Sequence, residues 1–266
     1  MIQTNLNSSD NYFLKDVSLL ITHYNRSVSL ERLLRKFKDY HVFFEDIVVS
    51  DDGSNSEHLE RIQQLQHQYQ FRLITTPVNK GLGNNINKGQ DSVNTALTLY
   101  VQEDFEPVPQ IGEYLSEAVE MMNERTDLDI IRFYAYFKYP YLKPFRNGFS
   151  EMVFKFGLPR YRKFYYYSDH PHLRRSDFLR KFGRYTEGVK GDVTEYNMMM
   201  SFLKKGGKGL FFEDYQSLFY QKNSSDEPST MKRDFWRESN NFLITGLRHL
   251  YRHVKFNYDL FLSGKY

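Results

Sequence analysis

Apolar and polar positions alternate between two periods along the first part of the chain. Val17–Thr22 (VSLLIT) is a short apolar run of strand formers. Ser27 then opens a helical pattern with Leu30, Leu33, Leu34 and Phe37 on one face. Asp46–Ser50 (DIVVS) predicts a second strand, and Leu59, Ile62 and Leu65 form the stripe of a second helix. Phe71–Thr75 (FRLIT) predicts a third strand closed by Pro77, Leu82 to about Val93 a third helix, and Thr98–Val101 (TLYV) a fourth strand. A β-α-β-α-β-α-β alternation of roughly 25–30 residues per unit predicts an α/β fold, a mostly parallel sheet covered by helices.

In such sheets ligands gather at the carboxyl ends of the strands. The segments that follow the four strands are His23-Tyr24-Asn25-Arg26, Asp51-Asp52-Gly53-Ser54, Asn79-Lys80-Gly81-Leu82-Gly83 and Gln102-Glu103-Asp104-Phe105-Glu106-Pro107. Polar, acidic and glycine residues therefore meet at one edge, which predicts a site. Gly81-Leu82-Gly83 lacks the third glycine of a dinucleotide fingerprint and follows the third strand, not the first. No GxxxxGK[ST] loop is present, so the motifs argue against a plain dehydrogenase or P-loop enzyme.

Charge divides the chain. Residues 1–130 hold 11 Lys+Arg against 20 Asp+Glu, and residues 131–266 hold 25 against 13. The basic half suits diphosphates or an anionic surface, and no nucleic-acid-binding motif accompanies it. With 23 Phe, 21 Tyr and 1 Trp the chain is rich in aromatics, many of them in 132–167, where they suit a core, a small hairpin or a sugar-stacking groove. It has no cysteine, which excludes disulfides and thiol catalysis. No apolar run approaches the roughly 20 residues of a bilayer span, and the polar start lacks a signal-peptide core. The expectation is a cytoplasmic protein, peripheral at the inner face of the membrane if the tail binds lipid.

VSLLITHYNRSVSLERLL (17–34), DIVVSDDGS (46–54), NKGLGNNINKG (79–89) and LYVQEDFEP (99–107) resemble, in order and spacing, the family 2 glycosyltransferases of GT-A fold. The third segment has the form N-x-G-x-G-x-x-x-N-x-G of the rhamnosyl- and galactofuranosyl-like branches. YTEGVKGDVTEYNMMMSFLKKGGKG (185–209) continues the likeness more weakly, so that it spans roughly residues 16–215. The resemblance implies a GT-A, Rossmann-like catalytic domain over 1–222, with a nucleotide-sugar half (16–107) and an acceptor half (108–222). Residues 223–266 form a basic aromatic C-terminal helical extension.

The resemblance also implies roles. Asp51 or Asp52 would read the nucleotide base, since a carboxylate accepts the N3–H of uracil or thymine. Thr22, Tyr24, Asn25 and Arg26 would flank that base, and Asn79 and Gly81 would let the backbone approach the nucleotide. The family's D-x-D metal motif falls on Gln102-Glu103-Asp104, with Gln in place of the first Asp. Gln102 and Glu103 would then lie along the nucleotide. Asp104, with His170 or His172 completing the shell, would hold Mn2+ or Mg2+ against the donor diphosphate. Arg174 and Arg175 would meet phosphate or acceptor. The base for inversion would be Asp192, or Glu195 three residues on along the same helix; Asp192-x-x-Glu195 also reads as a capping box.

The implied enzyme moves a sugar from a nucleotide-diphosphate donor to a glycan or lipid-linked glycan acceptor. A UDP-sugar is the expected donor, a dTDP-sugar the alternative. Bacterial surface polysaccharide or glycolipid assembly is the expected setting. The rival readings are an inactive nucleotide-sugar or glycan-binding protein, which Gln102 favours, and a sugar nucleotidyltransferase. The tail, with a linker at 223–230 (NSSDEPST), is expected either to pack on the domain or to lie on an anionic membrane.

Overall fold

The computed structural model describes residues 11–157, 159–222 and 242–262. Four parallel strands make one half of the main sheet: β1 (Tyr12–His23), β2 (Val42–Asp51), β3 (Arg72–Ile74) and β4 (Leu97–Gln102). They are linked by α1 (Ser27–Asp39), α2 (Ser56–Tyr69) and α3 (Leu82–Asp91), as the periodicity predicts. β1 is longer than the apolar run alone indicates. Tyr12–Leu14 also pair with Val42–Phe44, beyond a register shift before Ser18, where Asp16 takes a φ of 58°.

The second half is mixed. β5 (Phe105–Pro107) leads to α4 (Ile111–Glu124) and β6 (Ile130–Arg132). The hairpin β7 (Leu142–Arg146) and β8 (Phe149–Met152) precedes β9 (His172–Arg175), α5 (Phe178–Phe182) and α6 (Gly191–Lys204). β10 (Gly209–Phe212) and β11 (Phe219–Gln221) follow, then α7 (Phe242–Phe261). The main sheet runs β3-β2-β1-β4-β9-β6-β10-β8-β7, and β11 pairs with β5. β9 is antiparallel to both its neighbours, β4 and β6, while β6 and β10 are parallel. The sheet is thus parallel through its first four strands and mixed beyond them.

Strand alternation supplies two cores. Leu19, Ile21, Val49, Leu99, Val101 and Leu173 pack with α1, α2 and α4 on one face. Leu20, Val48, Tyr100 and Phe211 face α3, α5, α6 and the aromatic segment. Most of the aromatics of 132–167 join one or other core, and they include the β7–β8 hairpin. α7 packs back on this side: Phe256 and Leu260 are buried, with the Phe256 ring 5.4 Å from Phe164 and 5.1 Å from Tyr196. The linker at 223–230 lies outside the described residues.

Two glycines set the spacing of elements near the sheet edge. Gly53 has φ +70°, and a Cβ there would lie 2.5 Å from the carbonyl carbon of Val78. Gly83 lies in the first turn of α3, where a Cβ would lie 2.4 Å from the Thr186 carbonyl oxygen and 2.9 Å from Thr194 Oγ1. Gly53→Ala combines a disfavoured φ, which costs about 1–3 kcal/mol, with a backbone clash. The expected outcome is a fall in Tm of about 2–4 °C for each kcal/mol lost, read by thermal denaturation.

Candidate active site

Register brings the loops together. His23 pairs with Asp51 and Thr22 with Gln102, so the ends of β1, β2 and β4 share one level. Asp51 is fully buried beneath that edge. Its Oδ1 accepts bonds from His23 Nδ1 (2.8 Å) and Ser54 Oγ (2.5 Å). Its Oδ2 accepts from Gly53 N (3.1 Å), Ser54 N (3.0 Å) and Thr75 Oγ1 (2.9 Å). Burial pushes this carboxyl up, but the bonds from His23 and Ser54 outweigh that and hold it well below the usual range. Arg26 N donates to His23 Nε2 at 3.1 Å, so that nitrogen bears no proton and Nδ1–H must be the donor to Asp51.

Asp52 differs. Each of its oxygens accepts one backbone bond, from Lys80 N and Gly81 N, both 2.8 Å. A carboxylate offers about four acceptor sites, so Asp51 is saturated and Asp52 keeps capacity for a ligand N–H. Burial raises the Asp52 carboxyl against these bonds and the nearby Lys88 charge. Lys88 Nζ itself donates to the Asp51 carbonyl.

Of the residues expected to flank the base, Tyr24 and Asn25 are half-buried at the edge. Asn25 has φ 52° and accepts from Asn55 N at 2.9 Å. Thr22 is buried, with Oγ1 bonded to the Tyr100 hydroxyl (3.1 Å), and so lies below the surface a ligand would touch. Asn79 Oδ1 accepts from Gly81 N at 3.0 Å. At Gly81 glycine is favoured by its φ of +87°, and an added Cβ would meet only the Val189 carbonyl oxygen, at 3.8 Å, among the described residues. Gln102 is half-buried at the end of β4.

The guanidinium of Arg26 faces the acids after β4, 3.3 Å from Asp104 Oδ2 and 3.6 Å from Glu103 Oε1. Asp104 Oδ2 also accepts from Gln221 Nε2 (2.8 Å). Asp104 Oδ1 is buried and has no hydrogen-bond partner among the described residues. Those residues contain no group of three acids or histidines able to cage a metal. What fits here is an ion held by Asp104 Oδ1 and completed by ligand oxygens, since divalent cations of this kind are commonly shared with phosphates.

β9 explains the basic and histidine candidates. It runs against β4, so Tyr100 pairs with His172 and Leu97 with Arg175. Its start lies at the ligand edge and its end at the opposite edge. Arg174 is buried in the core, bonded to Gln90 Oε1 (2.7 Å) and the Tyr185 hydroxyl (3.0 Å). Arg175 donates to the carbonyls of Met122 (2.8 Å) and Leu128 (2.7 Å) at the end of α4. Neither reaches a phosphate at the donor edge. His172 is a core residue between Tyr100 and Tyr167, with Nδ1 on the His170 carbonyl (2.7 Å), and is not placed to ligate a metal. His170 is at the edge among Phe105, Tyr134 and Tyr136; burial and Arg132 push it down to about 3, so it is neutral.

The two acids of α6 separate clearly. The N-cap is Lys190 and carries no side-chain cap bond, so the capping box does not form. Asp192 is half-buried in the first turn. Glu195 Oε1 accepts from Asp169 N (3.1 Å) and borders a cavity of about 90 Å³ with Arg132, Tyr136, Tyr139, Ser168 and His170. Burial, then the charge of Asp169 and more distantly that of Asp192, hold the Glu195 carboxyl well above the ordinary range, against the pull of Arg132. Asp169 is itself pushed up by burial. Arg132 is anchored by Ser168 Oγ (2.6 Å) and the Tyr165 carbonyl (2.7 Å). Periodicity did not single out His23, Arg132, Asp169 or Lys88. Arg132 carried a faint signal, a charge inside the apolar run DIIRFYAY.

Comparison with known proteins bears on the family and the fold. The family model described as "Glycosyl transferase family 2" matches residues 18–183. No curated protein matches the chain. Among solved structures, Staphylococcus aureus TarS 1–349 in complex with UDP-GlcNAc superposes with TM-score 0.59 at 16% identity, covering 93% of this chain and 76% of that one. The Pyrobaculum calidifontis mannosyltransferase PcManGT in complex with GDP-Man and Mn2+ gives TM-score 0.54 at 12% identity, covering 90% and 63%. The architecture is the GT-A fold that the motifs implied. The chain belongs to glycosyl transferase family 2 and is a glycosyltransferase.

Proposed function

We propose that this enzyme transfers a sugar from a uridine or thymidine diphosphate donor to an acceptor hydroxyl with inversion, and that Glu195 is the base. The observation that carries this reading is Glu195 at a small cavity on the ligand edge, with its proton affinity raised by burial and by Asp169. A carboxylate with raised affinity is a stronger base once ionised. It takes the hydroxyl proton as the acceptor oxygen bonds to the anomeric carbon and the bond to the nucleoside diphosphate breaks. Asp52, with acceptor capacity left, reads the base N3–H. Arg26 and Asp104 frame the diphosphate. A divalent ion held by Asp104 Oδ1 would supply positive charge to the leaving diphosphate. An inactive binding protein, by contrast, would bind the donor without turnover.

The exposed face of α7 supports a site of action at an anionic membrane. Tyr251, Val254, Tyr258, Phe261 and Leu262 are exposed at helical spacing, and Phe156 extends the patch beside Phe261 at 4.5 Å. Arg252 and Lys255 neighbour it in sequence, which suits an interfacial helix over acidic headgroups. No helix among the described residues is long and apolar enough to cross a bilayer. We take a lipid-linked glycan as the acceptor that such a surface would present.

Calorimetry should detect UDP binding strengthened by Mn2+, and Asp104→Asn should abolish the Mn2+ increment; absence of any nucleotide binding overturns the donor site. Glu195→Gln should lower kcat at least ~100-fold, the usual worth of a positioned base, with UDP affinity unchanged. Activity of the native enzyme should rise with pH through a range above that of an ordinary carboxylate, because only the ionised form accepts the proton. Asp192→Asn removes a like charge that holds Glu195 up, so this limb should move to lower pH with activity retained. Vesicles containing phosphatidylglycerol should bind the native chain and lose the Tyr251→Ser/Tyr258→Ser variant, whose UDP affinity should not change.

A further inference from the structure

A second and larger cavity, about 700 Å³, lies between the 138–144 segment, the turn at Tyr161–Phe164 and α7. Its charged and titratable lining is Lys138, Arg160, Arg162, Glu213 and His249. Glu213 is already engaged by Lys138 Nζ (2.8 Å) and Ser150 Oγ (2.5 Å). Arg162 lies over the Phe137 ring at 4.7 Å, and neither Arg160 nor Arg162 has a carboxylate partner among the described residues. His249 packs against Tyr161 at 4.9 Å. Among the described residues the cavity therefore holds one neutralised pair and two solvent-exposed guanidinium groups without a carboxylate partner, with an imidazole beside them. Planar guanidinium forks pair with phosphate oxygens in bidentate fashion.

The cavity adjoins the one that holds Glu195. Tyr139 lines both, and its hydroxyl is fixed by the Lys163 carbonyl at 2.9 Å. Phe137 borders the Glu195 cavity while its ring lies under Arg162. The volume is within the range of sites that hold a whole small ligand, and Tyr139, Tyr161, Pro140 and Pro144 offer apolar surface for sugar or polyol C–H groups. On the proposed donor reading the diphosphate is framed by Arg26 and Asp104, neither of which lines either cavity.

We infer that this basic cavity binds a phosphate group carried by the acceptor, next to the hydroxyl that is presented to Glu195. The inference rests on Glu195 marking the acceptor end of the site, and it makes the acceptor a phosphate-bearing glycan or polyol rather than a neutral one.

The test uses the full chain, first saturated with UDP so that the donor site is filled, and titrates glycerol 3-phosphate and inorganic phosphate by calorimetry at low ionic strength. Glycerol 3-phosphate should bind, and Arg160→Ala/Arg162→Ala should weaken it roughly tenfold or more, as loss of two charge-assisted contacts requires. Arg160→Lys/Arg162→Lys should recover part of the affinity, and UDP affinity should be equal in all three proteins. Glycerol 3-phosphate that fails to bind, or binds equally to native and alanine proteins, overturns the inference while UDP binding leaves the donor site intact. Failure of UDP to bind overturns the donor reading; the same titration without UDP still decides the cavity. Phosphatidylglycerol vesicles distinguish the source of the phosphate. Vesicle binding unchanged by Arg160→Ala/Arg162→Ala supports an acceptor phosphate, and vesicle binding lost in parallel with glycerol 3-phosphate overturns it in favour of a lipid headgroup.

Discussion

A negative charge sealed from water organises the donor edge. Asp51 has no exposed surface, and a buried carboxylate persists only if donors surround it. Five donors do so, and they come from three separate segments: the end of β1 (His23), the loop after β2 (Gly53, Ser54) and the end of β3 (Thr75). Because the donors come from three different strand ends, the charge fixes those ends relative to one another. His23 passes the constraint on, since its other ring nitrogen accepts from Arg26 N and so orients the residue whose guanidinium meets Asp104. The ligand-facing groups are thereby held in place before any ligand arrives, which is what a positioned site needs.

The parallel half of this fold was legible because its signal is local. A helix stripe such as Leu30, Leu33, Leu34 and Phe37 and a strand run such as Val17–Thr22 each declare themselves within a dozen residues, and the loop chemistry follows from strand order. The second half was less legible because its key fact is non-local. Nothing near His172-Leu173-Arg174-Arg175 states that the strand is inserted against β4 and β6 in the opposite direction. That reversal alone moves Arg174 and Arg175 from the ligand edge to the core and far edge, and brings His170 forward. The choice between Asp192 and Glu195 likewise depends on what packs over α6, which spacing along the helix does not reveal.

The charge division also changes meaning once the side chains are placed. Several cations of the basic half are interior: Arg132, Lys163 and Arg174 are all buried, each bonded to carbonyl, hydroxyl or amide oxygens rather than to an acid. Their burial is tolerable because aromatic rings surround them, as with Arg174 between Tyr100 and Phe178. The excess of aromatics and the excess of bases are thus partly one feature. Other cations of that half stay at the surface, among them Arg160, Arg162, Arg180, Arg184 and Lys208.

The contact at Gly83 has a consequence for how such an enzyme can diversify. α3 begins in the loop that Asp52 holds, and α6 carries Glu195; a hydrogen atom at Gly83 is all that separates α3 from the Thr186 carbonyl. The loop that Asp52 holds and the helix that carries Glu195 therefore form one unit with no slack between them. The walls contributed by residues 135–162 and by α7 stand outside that unit. Exchange of those walls would leave that unit untouched, whereas a single methyl group at position 83 would push α3 away from Thr186 and from Thr194 on α6.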